Sequence, residues 1–281
     1  MKKIFQAILL SSVMVFAACT EDETNVEWGA EVRTFNLNGT KFNMIKVDGG
    51  TFLMGAQKTD PEASNYDPNA KDFEAPVHSV TVSTFYIAEF ETTCNIVRKA
   101  GITAGMGSES NMPIRNIYRS DILMFIENLN EIMHENGQLA KNEKFTLPTE
   151  AQWEYAARGG KNSHGYIYAG SNDYSKVVCC KQNSDQISFA PVGSFAPNEL
   201  GLYDMSGNCC ELCIDVWGNY SEESQVDPQG PAIVTDNQKW VVRGGSFYVD
   251  KVNCRVSTRS YIDDYTNNNS TTVRLALVTV R

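Results

Sequence analysis

Seven cysteines follow Cys19: Cys94, Cys179, Cys180, Cys209, Cys210, Cys213 and Cys254. Cys210 and Cys213 form a C-x-x-C, a spacing that suits a redox dithiol or half of a metal site. No second C-x-x-C accompanies it, and the three histidines, His78, His134 and His164, are scattered. A histidine-rich metal centre is therefore not expected. Seven is odd, so at least one thiol is expected to stay unpaired within a monomer, and spacing alone leaves the connectivity open. A different chemistry is written near the C-terminal end. From Ser257 to Thr272 the only aliphatic residue is Ile262, and the rest is Ser, Thr, Asn, Asp, Tyr and Arg259. Such a stretch cannot bury itself. Framed by the apolar segments Trp240–Arg243 and Leu275–Val280, it reads as a displayed binding loop.

The elements that must hold this loop are uneven. Arg119–Glu135 is the clearest helix, with Ile122, Phe125, Ile126, Leu129, Ile132 and Met133 at spacings of three and four. Pro148–Arg158 is a second helix, opened by a Thr149/Gln152 capping box and closed by Gly159-Gly160. A short helix is expected over Glu91–Ala100, stopped at Gly101. Phe42–Met54 reads as a hairpin turning at Gly49-Gly50, and Val77–Phe90 reads as strands. The two framing segments of the tail read as strands as well. Asp60–Ala75, Met106–Pro113, much of Gly165–Val192 and Trp217–Asp236 read as irregular chain. The whole is an α+β chain with much irregular structure, which usually carries function or is tied down.

Residues 1–18 are expected to be an export signal: Lys2 and Lys3, then a mostly apolar run to Ala18 that is short for a membrane span. The Phe16-Ala17-Ala18-Cys19 ending resembles a bacterial lipoprotein signal, which implies cleavage before Cys19 and lipidation of its thiol. The following Thr20-Glu21-Asp22-Glu23-Thr24 is similar to the surface-export signal of Bacteroidetes lipoproteins. An outer-membrane lipoprotein on the cell surface is expected, with the inner leaflet as the open alternative. Residues 19–41 are assigned to a tether and N-terminal segment and 42–281 to one domain, with no linker or repeat inside it. The formal charge is −10, and −12 without Lys2 and Lys3. That balance argues against a nucleic-acid partner and leaves a protein or glycan ligand open.

Several long motifs then line up in order. They are Phe52-Leu53-Met54-Gly55, the Phe145–Gly160 segment FTLPTEAQWEYAARGG, the Pro197–Asn208 segment PNELGLYDMSGN, and Arg243-Gly244-Gly245-Ser246-Phe247. Together they resemble the formylglycine-generating enzyme, or sulfatase-modifying factor, family from about residue 42 onward. The resemblance implies a C-type-lectin-like fold of the expanded kind. In that family a copper ion held by two cysteines serves to oxidise a sulfatase cysteine. Here the first of those positions falls at Val249 and the second at Cys254. A valine cannot hold Cu(I), so no copper and no catalytic residue are expected. Ser246 does match the family's active-site serine. The family's calcium segment maps onto Asp204, Gly207, Cys209 and Glu211, an all-oxygen set suited to Ca²⁺.

The tail has a nearer likeness. Arg243–Ser246, Asn253-Cys254-Arg255-Val256-Ser257, Arg259 and Arg274-Leu275-Ala276-Leu277 resemble the variable proteins of diversity-generating retroelements. Thr272-Val273 departs from the Gly-Phe usual at that point. In those proteins adenine mutagenesis turns Asn codons into many residue types while scaffold words stay fixed. The region 243–277 is then variable, and the diversified, ligand-contacting positions are Tyr248, Val249, Asp250, Asn253, Thr258, Ser260, Tyr261, Ile262, Asp263, Asp264, Tyr265, Asn267, Asn268 and Asn269. The resulting expectation is a surface-displayed ligand-binding lipoprotein. An undiversified structural or secretion-associated lipoprotein, and more distantly a copper-dependent oxidase, are the alternatives.

Overall fold

The computed structural model describes residues 31–103, 111–184, 188–232 and 238–280. The signal segment, Cys19 and the acidic run after it lie outside the described residues. The strands are β1 Val32–Leu37, β2 Thr40–Val47, β3 Gly50–Met54, β4 His78–Val82, β5 Phe85–Ala88, β6 Glu143–Thr146, β7 Cys210–Val216, β8 Gln225–Val226, β9 Lys239–Arg243, β10 Arg259–Asp263, β11 Thr271–Thr272 and β12 Ala276–Thr279. The helices are α1 Cys94–Lys99, α2 Arg119–Glu135, α3 Glu150–Ala157 and the single turn α4 Tyr174–Val177. They build three sheets, in the orders β1-β2-β5-β12-β6, β10-β9-β7-β11 and β3-β4-β8.

Two helices sit where their patterns place them. α2 buries Ile122, Phe125, Ile126, Leu129 and Met133 along one stripe, against Phe35 and Phe145 of the five-stranded sheet. α3 opens on the Thr149/Gln152 capping box with both reciprocal hydrogen bonds formed. Its Trp153, Ala156 and Ala157 enter a second core with Met54, Val80 and Val241. Between the two cores runs the β7–β9 pair. Trp240 and Val242 face the first core and Val241 the second, as the period of two requires.

Three expectations are corrected. The domain begins before residue 42. β1 and β2 form a hairpin whose turn is Asn38-Gly39, with φ of 48° and 88°, the left-handed pair that Asn-Gly supplies most readily. The Gly49-Gly50 pair is not a hairpin turn, because β2 pairs with β1 and β5 while β3 pairs with β4. Gly49 instead lets the chain pass between sheets: a Cβ there would lie 2.6 Å from the Val82 carbonyl and 2.7 Å from the Thr84 nitrogen. The tail stretch, finally, is not all loop. β10 and β11 lie within it, and β10 pairs along its length with β9.

Candidate functional site

Burial divides the tail cleanly. None of the fourteen positions from Tyr248 to Asn269 singled out as displayed is buried, and Tyr248, Tyr261 and Tyr265 are 62%, 44% and 75% exposed. Gly244, Ser246, Cys254, Arg255, Arg259, Thr272 and Arg274 to Leu277 are all buried. The two populations alternate over short stretches of one chain, so the backbone between them must be held firmly.

Four arginines hold it, each at most 3% exposed and each paired with carboxylates outside the tail. Arg243 donates to Glu150 and Glu154 of α3, both at 2.6 Å, and to the Val256 carbonyl at 2.7 Å. Arg259 forks onto Glu150 at 2.7 and 2.6 Å. Arg255 reaches Asp67 at 2.8 Å and both oxygens of Glu74 at 2.9 and 2.7 Å. Arg274 forks onto Glu211 at 2.8 and 2.7 Å. Bidentate geometry suits guanidinium to this work. Burial works against the charge on Glu154, yet Arg158 and Arg243 hold its carboxyl down at about 2. The sequence shows these arginines but not their partners, since Asp67 and Glu74 sit in a polar loop that reads as solvent-facing.

The displayed positions form two groups. Val249 and Asp250 lie along the segment after α4: Lys181 donates to the Val249 carbonyl at 3.0 Å, and Gln182 to Asp250 at 2.8 Å. The second group is β10 and its following turn. Tyr261 leans on Trp217, ring centroids 5.2 Å apart, with the Lys239 ammonium 4.0 Å from its own ring centroid. Asp263 accepts from the Tyr265 N–H and the Thr266 hydroxyl, which shapes the turn. Asp264 differs from the others. It accepts from Trp240 Nε1 at 2.6 Å and lies 3.8 Å from Arg119, whose guanidinium covers the Trp240 ring. Asp264 therefore has a clasping role that its sequence position does not reveal.

The thiols are arranged for burial. Cys254 is fully buried, and burial pushes its thiol well above the usual range. Val249 packs partly against the small cluster that holds Cys180 and Cys254. Cys210 and Cys213 are three apart on β7 and so point to opposite faces, one toward each core. That separation removes the C-x-x-C from consideration as a dithiol or half-site. Burial pushes Cys210 to about 11 and Cys179 to about 12.

The four positions expected to hold calcium are not equivalent. Both oxygens of Glu211 are taken by Arg274, and one also accepts from Trp153 Nε1 at 2.6 Å. Glu211 is thus a partner of the frame, its charge already balanced by a buried guanidinium. Asp204 does lie in an acidic, buried place. Burial raises its carboxyl to about 6, against a hydrogen bond from the Gly193 N–H. Beside it stands Glu91, which the sequence reading missed. Burial pushes Glu91 well up, and repulsion from Asp204 and Glu211 adds to it. Glu91 accepts from the Cys209 N–H at 2.9 Å and from the Asn208 side-chain amide at 2.5 Å, two neutral donors, with no paired guanidinium among the described residues. Among the described residues no three Asp, Glu, His or Cys side chains converge as a metal-binding group.

Residues 30–278 match the model of the sulfatase-modifying factor enzyme 1-like domain. The chain belongs to this family. Family members include enzymes: a formylglycine-generating enzyme of Thermomonospora curvata is 36% identical over 135 residues, covering 41% of this chain and 43% of that protein. The chain thus spans about two fifths of the first curated relatives it matches. Among solved structures, Treponema denticola variable protein 1 superposes with a TM-score of 0.70 at 22% identity, over 87% of this chain and 98% of that one. PvdO from Pseudomonas aeruginosa gives 0.69 at 20% identity, over 87% and 97%. The α+β, C-type-lectin-like fold of the sulfatase-modifying-factor family is therefore the fold of this chain.

Proposed function

We propose that this family member is a non-enzymatic display domain that binds a ligand through the exposed positions of its tail, and that those positions are retroelement-diversified. One observation carries the reading: the positions with residue types reachable from Asn codons are exposed or half-buried, while the fixed words between them, the half-buried Gly245 apart, are buried. Tyrosine brings large contact area at low entropy cost, and Asn, Asp and Ser bring adaptable hydrogen bonds. The arginine frame orders the backbone before any ligand arrives, which lowers the ordering cost of binding. A tail built this way tolerates side-chain exchange without losing its scaffold.

The chemistry of the thiols supports the non-enzymatic part. The position that resembles the family's first active cysteine is Val249. Its intended partner, Cys254, is buried with a raised thiol, so it is a poor nucleophile and a poor soft ligand. The residues do not fit copper. Incubating purified protein with copper and a sulfatase peptide should yield no formylglycine; product would overturn this part. The diversified part is tested in the neighbouring DNA. A near-copy of the tail's coding sequence, differing mainly at adenines and lying beside a reverse transcriptase, is expected. Without it, an undiversified lipoprotein is the better account. Export with lipid on Cys19 to the outer surface belongs to the same proposal. Metabolic labelling with a fatty acid should mark wild type and not Cys19→Ser.

If a structural calcium binds near the Gly-Asn segment, Asp204 and Glu91 would be its side-chain ligands, and Gly207 and Cys209 would offer backbone carbonyls. A divalent cation would supply the positive charge that these neighbouring buried carboxylates lack. Millimolar calcium should then raise the unfolding temperature of wild type and leave Asp204→Asn unmoved; no rise in wild type excludes the ion.

A further inference from the structure

A cleft of about 480 Å³ lies between the end of β3, the loop around Tyr66, the loop around Tyr166 and the fixed tail residues Val256 and Ser257. Its volume falls in the range of small-ligand sites, roughly 300–1,000 Å³. None of the fourteen displayed positions lines it, so its chemistry stays constant however the tail varies. We propose that this cleft is a second binding site, for a neutral saccharide of one to three sugar units.

Both walls are unusually well fixed for irregular chain. The Asp60–Ala75 loop is pinned from beneath by Arg255 on Asp67 and Glu74. Its Asn65 side chain donates to the Leu53 carbonyl at 2.7 Å and the Gly55 carbonyl at 2.9 Å. The result of all this bonding is Tyr66, held 38% exposed at the cleft. On the other side Ile167 donates to Asn172 at 2.8 Å and accepts from Val256 at 2.9 Å, holding Tyr166 and Ile167 in place. Ile167 and Leu53 remain 44% and 42% exposed. Loops pinned this firmly around exposed apolar groups are pre-organised, which is what a binding site needs.

The ligand class follows from what is left unpaired. The charges lining the cleft are already matched: Arg158 by Glu154 at 2.8 Å, and Asp67 by Arg255 at 2.8 Å. A phosphate or carboxylate would therefore meet no free cation. Arg158 uses Nε and Nη2 in hydrogen bonds, while its Nη1 has no partner among the described residues and the side chain is 15% exposed. Ser64 and Ser163 add hydroxyls at the rim. Tyrosine side chains beside a few hydroxyls and a charge-balanced guanidinium N–H match a sugar ring, with its apolar C–H face and its hydroxyl edge.

The test uses the mature chain and neutral oligosaccharides: gluco-, manno-, galacto- and N-acetylglucosamine oligomers, titrated calorimetrically. At least one series is expected to saturate below about 10 mM. Tyr66→Ala and Tyr166→Ala should each weaken it roughly tenfold, as loss of an aromatic anchor does, while the displayed-tail variant Tyr265→Ala leaves it unchanged. Raising salt from about 50 to about 500 mM should not move the affinity, because no charge pairing is involved. The same unfolding temperature in all three variants shows that the fold survives. The proposal is overturned if no series saturates, if binding is salt-sensitive, or if Tyr265→Ala weakens it as much as Tyr166→Ala. A failure here leaves the reading of the tail untouched.

Discussion

Arg255 and Tyr248 stand in one short segment under opposite physical demands. Arg255 is 1% exposed and makes ion pairs with two carboxylates far away in sequence. Tyr248 is 62% exposed, and its aromatic contact is edge-on to its own neighbour Phe247. The same contrast recurs at Arg259 against Ser260, and at Arg274 against Asn269. Specificity for place and freedom of side chain are thus assigned to different residues of one strand-and-turn segment, without a separate scaffold domain. A buried guanidinium can do this because its fork fixes direction as well as distance.

The contrast breaks hardest at the frame. Arg255→Ala leaves Asp67 and Glu74 buried without their cation, and such a loss costs about 3–5 kcal/mol. Chemical denaturation should show the whole domain destabilised by that amount, with the Asp60–Ala75 loop the first to become protease-sensitive. A change below about 1 kcal/mol would mean that the frame is ornamental.

A second test concerns carboxyls near the frame that carry no paired guanidinium of their own. Burial raises Asp215 to about 7, with Glu150 beside it adding to the shift, and Asp204 to about 6. Groups raised in this way favour the folded state fully below the ordinary carboxylate range, and that contribution is lost as pH rises through the folded value. Wild-type stability should therefore fall between about pH 4 and pH 7 by roughly 1–4 kcal/mol. Asp215→Asn should flatten the upper part of that fall, since the amide oxygen can still accept from the Glu150 N–H. An unchanged slope in the variant would assign the fall elsewhere.

Asp264 tests the boundary between the two populations. By type and position it belongs with the displayed residues, yet it joins Trp240 of β9 to Arg119 of α2. Asp264→Ala should cost about 1–2 kcal/mol in unfolding free energy, the price of a lost charge-assisted hydrogen bond. Equality with its neighbours would place it with the freely displayed residues.

How far the chain itself discloses this arrangement depends on the range of the forces involved. α2 and α3 are set by local periodicity and a local cap, so their bounds are legible. The Asn38-Gly39 hairpin is equally local, set by the dipeptide at its turn. Sheet partnership is not local: β2 and β3 are adjacent in sequence and enter different sheets because Gly49 must approach the 82–84 backbone. The tail's division was legible from residue type, because its exposed and buried words differ in composition. Its partners were not, since nothing near Asp67, Glu74 or Glu211 marks them as destined for a buried arginine. The repulsion between Asp204 and Glu91 likewise spans more than a hundred residues of sequence.

The smallest expected effect is also the sharpest statement of the contrast. Tyr265 is 75% exposed, and its hydrogen bond to Asp263 is made by its backbone N–H, which any residue but proline supplies. Asn267 is exposed too. Exchanging Tyr265→Ser and Asn267→Ala together should shift the unfolding free energy by no more than about 0.5 kcal/mol, the ordinary range for surface positions. The denaturation midpoint and slope should both match wild type, because neither the buried area nor the compactness of the unfolded chain changes. A midpoint shift as large as that of Asp264→Ala would show that the turn after β10 carries packing of its own. The displayed face would then be part of the structure it decorates, and free exchange at these positions would not be physically available.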